Sequence, residues 1–398
     1  MAAVDLFAKC LEFYPIVERA KRAGYYPYFI PLNSEPDRRV VINGHELIML
    51  GSNNYLGLTT HPKVKEAAIT AIRNYGTGCT GSRFLNGTLD LHIELEHELA
   101  QFYRQQDCVV FSTGYQTNLG VVSALVRKGD VVLTDKLDHA SIMDGCQMSY
   151  GSVQRFLHNE PASLERSLER LPRDAGKLIV VDGVFSMEGD LAPLDAIVPL
   201  ARQHHCRLMV DDAHAVGVMG RHGRGTAEHF GVEDKVDLIM GTFSKSFATI
   251  GGYVVGEHKV ITFIRHQARP LIFSAAIPPT AAATALAALR IIKSEPERRE
   301  RLWRNARKML EGLRDMGYNI GTTVTPIIPL HIGPDMKTLA FWRSLYDAGL
   351  FTNPVLPPAV PPNRSLIRTS YMATHTDDDL DQALDIFKKV GKKTGLLT

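Results

Sequence analysis

The 398-residue chain reads as an α/β protein: a large, mostly parallel sheet covered by helices, then a smaller α+β C-terminal domain, with a short N-terminal arm in front. Two observations carry that reading. Between about residues 60 and 290, short apolar runs (CVVFS, DVVLTD, KLIVVDGVFS, RLMVDDAH, VDLIMGTFS) alternate with helix-length amphipathic stretches. Near-continuous Val/Ile/Leu runs ending in small or acidic residues are what strands buried on both faces of a parallel sheet look like. After Glu295-Pro296 the pattern changes to helices mixed with TPIIPLHIG and SLIRTSYMA. The boundaries expected are an arm over 1–58, the large domain over 59–292 and the small domain over 293–398.

Each element has its own justification. MAAVDLFAKCLEFYPIVERAKRAG has the spacing of an amphipathic helix, and its acids and bases interrupt the apolar stretch that a secretory signal would need. VVINGHELIML predicts a hairpin turning at Asn43-Gly44. The most apolar later segment, AAIPPTAAATALAALRII, contains two prolines and ends at Arg290, so no integral membrane segment is expected. Lys and Arg total 45 against 43 Asp and Glu, a balance that gives no sign of a nucleic-acid partner. Five cysteines without a CxxC pair argue against a zinc site or a disulfide framework, and fit a cytoplasmic location. GTGCTGS at 76–82 lacks the Gly-Lys-Ser/Thr ending of a phosphate loop.

In open α/β sheets ligands gather beyond the carboxyl ends of the strands, so the residues ending these runs are the informative ones. FSTGYQTN brings Gly114 and Tyr115 to the start of a helix; LDHAS places His139; VFSMEGD places Ser186; VDDAHAVG places Asp211 and His214; GTFSK places Thr242, Ser244 and Lys245. One chemistry needs all of these together, that of pyridoxal phosphate (PLP). Its aldehyde needs a lysine (Lys245), its pyridine nitrogen a carboxylate (Asp211), its ring a stacking partner (His139), and its phosphate backbone amides and hydroxyls (Gly114, Tyr115, Thr242, Ser244). His214 and Ser186 would reach the ring oxygen or its surroundings. A plain dinucleotide-binding oxidoreductase fares worse, because no strand is followed by GxGxxG with an acid about twenty positions on.

These motifs, with SNNYLGL, DHASI, GVFSMEGD, DDAHAVG and a TxxK followed by GG, resemble the α-oxoamine synthases, PLP enzymes of fold type I. The resemblance spans nearly the whole chain, to IRTSYMATHT. It implies decarboxylative condensation of a small amino acid with an acyl-CoA, releasing CoA and carbon dioxide. GTGCTGSRFLNGTLDLHIELE, IMGTFSKSFATIGG and NPVLPPAVPPNRSLIRTSYMATHT resemble the branch that joins L-serine to a long-chain acyl-CoA. Branches using glycine with acetyl-CoA, or making 8-amino-7-oxononanoate, usually read TLGKAxG where this chain has Ser244, Ser246 and Ala248. The motifs would also suit a promiscuous synthase or a silent partner subunit, although silent subunits typically lack the lysine. The resemblance further implies that Arg368 holds the substrate carboxylate, that Asn54 lies near the substrate, and that Ser274 reaches the phosphate across a homodimer interface.

Overall fold

In a computed structural model, residues 5–398 are described. The strands are β1 (Arg39–Ile42), β2 (His45–Met49), β3 (Asp107–Phe111), β4 (Val131–Asp135), β5 (Ser152–Phe156), β6 (Lys177–Asp182), β7 (Arg207–Asp211), β8 (Leu238–Thr242), β9 (Gly252–Gly256), β10 (Ile327–Gly333), β11 (Leu350–Phe351), β12 (Asn353–Val355) and β13 (Ser365–Ser370). Seven form the central sheet in the order β3-β9-β8-β7-β6-β4-β5. Only β9 runs antiparallel, so the other six present their carboxyl ends along one edge.

Both faces are covered, as the apolar runs require. Alternate residues of one strand enter different clusters: Cys108 and Val110 join the core beneath the helices Asp90–Tyr103 and Pro279–Ser294, while Val109 and Phe111 pack with Val121, Ile261 and Ile264 on the other face. Strand β3 is an edge, and a buried side chain closes it. Glu96, only 4% exposed, accepts from the Val110 N–H at 2.8 Å and is gripped by Arg83 at 2.8 and 3.1 Å. Arg265 reaches the same carboxylate at 3.4 Å. That arrangement occupies an edge donor which would otherwise template strand addition.

The Asn43-Gly44 turn forms with both residues at positive φ, 50° and 81°. The hairpin expected within an arm is built into the C-terminal layer instead: β2 pairs in parallel with β11, and Arg39 Nε donates to Asp379 of the last helix at 2.7 Å. The opening helix runs Ala8–Arg22 with no buried residue, and the first four residues of the amphipathic stretch lie outside the described residues. Glu295-Pro296 separates the helices Pro279–Ser294 and Pro296–Asp315, and β10-β13-β12 forms the second sheet. The five cysteines are free, and no described helix is long and apolar enough to cross a membrane.

Replacing Glu96 by alanine strands the Arg83 guanidinium and a strand N–H, while Arg265 keeps Asp107 at 2.8 Å. We expect a loss of about 3–5 kcal/mol, the usual cost of removing one partner from a buried ion pair. Equilibrium urea unfolding measures it, and a loss below about 1 kcal/mol would show that water replaces the carboxylate.

Candidate active site

The parallel strand ends surround a cavity of about 340 Å³. Gly114, Tyr115, His139, Ser186, Asp211, His214, Thr242, Ser244 and Lys245 all line it. Ser274, Arg368 and Asn54 do not.

Asp211 ends β7 and is 4% exposed. It accepts from Asn118 Nδ2 at 2.7 Å and from the Ala213 N–H at 2.9 Å, two neutral donors. The same Asn118 nitrogen reaches Ser141 Oγ at 2.9 Å, and that hydroxyl sits 2.7 Å from His139 Nδ1. The Ser141 N–H also points at Nδ1, at 3.2 Å, so Nδ1 accepts and Nε2 carries the proton. Carboxylate and imidazole are thus fixed by one chain of hydrogen bonds.

Lys245 follows β8. Burial pulls its ammonium from an ordinary 10.5 down to about 8, against the attraction of Asp211 and Asp182. Desolvation disfavours the charged amine, so a neutral nucleophile is available near neutral pH. Burial likewise keeps His214 well below its ordinary value, helped by Lys245 and Arg368. Tyr55, pushed by burial to about 12, stays a phenol and donates to His214 Nδ1 at 2.7 Å. Nε2 of His214 then carries the ring proton. Burial, with Asp211 and Asp138 close by, pushes the Asp182 carboxyl well above the carboxylate range.

Backbone geometry builds an anion cradle at the other end. Thr113 caps the helix Gly114–Leu125 by accepting from Gln116 N, leaving the first-turn N–H groups of Gly114 and Tyr115 without helix partners. A Cβ at 114 would stand 2.8 Å from Thr242 Oγ1, and one at 252 would stand 2.6 Å from Gly114 Cα. The paired glycines after Lys245 let β9 approach that helix. Thr242 and Ser244 hydroxyls lie 2.9 Å apart beside it. Ala248 adopts φ 59° where the glycine of the TLGKAxG pattern would fit without strain, at a cost of about 1 kcal/mol.

Arg368, 5% exposed on β13, donates from Nε to the Ser186 carbonyl at 2.6 Å and from Nη2 to Asn53 Oδ1 at 3.0 Å. Asn53, rather than Asn54, faces the arginine. Asn54 spends its amide inside SNNYLGL, accepting from the Leu58 N–H and donating to Thr59. Ser274 accepts from Gln116 Nε2 at 3.0 Å, one turn from the cradle. Behind the site His158 bridges Asp135 at 2.9 Å and Asp190 at 3.1 Å; despite burial, the two carboxylates lift it to about 10. This imidazolium straps the loop before His139 to the loop carrying Ser186.

The sequence pattern does not single out Asn118, Ser141, Asp182 or Asn53. Asp182 carries a usable signal, because it ends β6 as Asp211 ends β7 and the two are register partners. Asn118 lies one helical turn beyond Gly114, and only the fold aims it at Asp211.

A lysine, a buried aspartate, a histidine and free helix N–H groups lining one cavity at the carboxyl edge of this sheet are the features of a PLP-dependent enzyme of fold type I. The chain belongs to the aminotransferase class I and II family, whose model matches residues 45–387. It is 49% identical over 383 residues to a serine palmitoyltransferase of Sphingobacterium spiritivorum, covering 96% of each chain. It is 42% identical over 382 residues to an 8-amino-7-oxononanoate synthase of Thermoanaerobacter pseudethanolicus, covering 96% of this chain and 97% of the relative. A serine palmitoyltransferase variant from S. paucimobilis, solved with a bound PLP–myriocin aldimine, superposes with a TM-score of 0.96 at 39% identity, covering 99% of this chain and all of the other.

Two outcomes test the site. In protein stripped of cofactor, the neutral amine of Lys245 prevails above about 8, so the rate of PLP reloading should rise with pH and level off past that midpoint. Asp211→Asn, which removes an attraction, should move the midpoint lower; a midpoint near 10 in both would contradict the burial. Asn118→Leu should lower kcat by about tenfold to a hundredfold, the worth of a charge-assisted hydrogen bond, with little change in KM. Stopped-flow kinetics on the folded, cofactor-loaded variant decides it, and an unchanged kcat would mean that Asp211 is held by Ala213 alone.

Proposed function

We propose that this chain binds PLP in the cavity and condenses a small amino acid, L-serine foremost, with a long-chain acyl-CoA to give an α-oxoamine, CoA and carbon dioxide. The observation that carries the proposal is Asp211, a buried carboxylate satisfied only by neutral donors and facing a lysine with a depressed pKa. A protonated pyridine nitrogen is the cation this carboxylate lacks. The similarity to serine palmitoyltransferases over the full length supports the choice of substrates.

Bound there, PLP supplies an aldehyde for an amine and a ring that takes up the electron pair left on the substrate's α-carbon. The chain's own residues do the rest. Asp211 would keep the ring nitrogen protonated, with Asn118 fixing the angle of the carboxylate. His139 would hold the ring and orient the substrate carboxylate. His214 would donate from Nε2 to the cofactor. Gly114, Tyr115, Thr242 and Ser244 would hold the phosphate. Lys245 would take the α-proton, its pKa lowered to about 8 bringing it closer to that of a base working near neutral pH. Arg368 holds the substrate carboxylate, and Asn53 sets its fork.

The working form is proposed to be a cytoplasmic homodimer with the site at the interface. Beside the cradle, Phe273 is 79% exposed and Leu85 78% exposed, and the bridge between Ser82 and Ala275 joins their segments. A second copy covering that patch would bring a Ser274 toward the phosphate.

Arg368→Ala should raise KM for the amino acid by about tenfold or more and leave KM for the acyl-CoA nearly unchanged. Equal effects on both would make Arg368 a brace for Ser186. The substrate proposal is tested by a matrix of serine, glycine and alanine against acyl-CoAs of increasing length, with thiol release and product mass recorded. Serine with palmitoyl-CoA should give the highest kcat/KM. A higher value for glycine with acetyl-CoA, or for alanine with a dicarboxylic acyl-CoA, would transfer the chain to another branch with its PLP chemistry intact.

A further inference from the structure

A second cavity, of about 780 Å³, shares no lining residue with the first. It lies between the end of the helix Asp90–Tyr103, the helix Pro296–Asp315 and the loop Gly220–Arg224. Arg299, Trp303 and Arg307 stand four residues apart and share one helical face that forms its wall. Arg104 and Arg221 close it from the other two elements.

Charge in this cleft is only partly answered. Arg224 is held by Glu228 at 3.0 Å and Glu233 at 2.6 Å, His222 by Glu228 at 2.5 Å, and Lys293 lies 3.6 Å from Glu98. Arg104, Arg221, Arg299 and Arg307 have no carboxylate partner within ion-pair distance among the described residues, and the single acidic lining residue is Glu300. Arg299 is half-buried. Its Nη2 donates to the Arg221 carbonyl, and burial holds its guanidinium below the ordinary value against the pull of Glu228 and Glu300. The loop is shaped around it, since a Cβ on Gly223, which sits at φ 79°, would stand 2.9 Å from Arg299 Nη1. The floor is apolar: Phe102, Ile292 and Pro296, with Trp303 pinned by its indole N–H to the Val218 carbonyl at 2.9 Å.

We infer that this cleft is a second ligand site, for an organic polyphosphate: phosphate groups held by the guanidinium forks and a planar body laid on the apolar floor. Planar guanidinium forks match phosphate oxygens in pairs, as they also match carboxylates, and several forks without carboxylate partners around one cleft call for a ligand carrying several anionic groups. The volume is that of a small-molecule pocket. The loop forming its lip continues directly from Asp211 and His214, and Asp212 accepts from Thr226 at 3.0 Å just beyond it. Occupancy is therefore adjacent in the chain to the catalytic strand end.

The chain contains two tryptophans, and Trp342 is 2% exposed, so Trp303 is a local reporter. In the PLP-loaded protein, titration with ADP and with inorganic pyrophosphate should change tryptophan emission saturably, ADP binding the tighter. Trp303→Phe should remove the signal. Arg299→Gln and, separately, the exposed Arg307→Gln should each raise Kd at least about tenfold, the loss of one charge-assisted bond, with folding verified by circular dichroism. No saturable response, equal Kd values in all variants, or a response to vesicles of anionic phospholipid alone would overturn the assignment. Because the readout is not turnover, failure here leaves the proposed condensation untouched, and failure of that reaction leaves this site standing.

Discussion

Everything in the cavity at the strand ends is arranged around one electrostatic constraint, a carboxylate taken out of water at the end of β7 with no cation in contact. An isolated buried charge costs several kcal/mol unless bonded. Two neutral donors meet part of that cost, and a protonated ring nitrogen would meet the remainder. The neighbours follow from it. Lys245 is drawn upward by Asp211 while burial draws it down further, His214 is kept neutral by burial and the cations around it, and Asp182, next to Asp211 across the sheet, is pushed toward its protonated form.

Legibility in the sequence divides along the same line. Residues that terminate a strand can be read, because the parallel pattern sends all six carboxyl ends to one edge and chemistry collects there. Lys245, Asp211, His139 and the FSTG turn need no structure to be noticed. Residues whose position depends on a long-range approach are illegible. Asn118 looks like an ordinary helical amide, and adjacent asparagines in SNNYLGL give no hint that Asn53 meets an arginine 315 positions away. The hairpin's turn is plain from Asn43-Gly44, whereas its pairing with β11 rests on contacts between chain ends that no local pattern records.

The phosphate cradle shows how small residue types produce close geometry. Glycine at 114 and 252 matters through what it omits: methyl groups there would separate the helix Gly114–Leu125 from β8 and β9. The C-terminal sheet contributes in a similarly indirect way. Arg368 projects from the β10-β13-β12 sheet and meets the loop after β6 at the Ser186 carbonyl, so its position reports how the two sheets sit together.

The order of the sheet also bears on how the chain is made. Strand β3 has a single neighbour, β9, whose first residue, Gly252, follows Asp107 by 145 positions. At roughly 5–20 residues per second, a ribosome needs about seven to thirty seconds to deliver that partner. Until then β3 can be capped by Glu96 on one edge while its other edge stays open, and the apolar residues on both its faces lack half their cover. The nascent chain therefore passes through a long interval in which a strongly hydrophobic strand is a template without a match. A chaperone that shields extended apolar segments would act on this chain before Lys245, the residue proposed to carry the cofactor, has been synthesised.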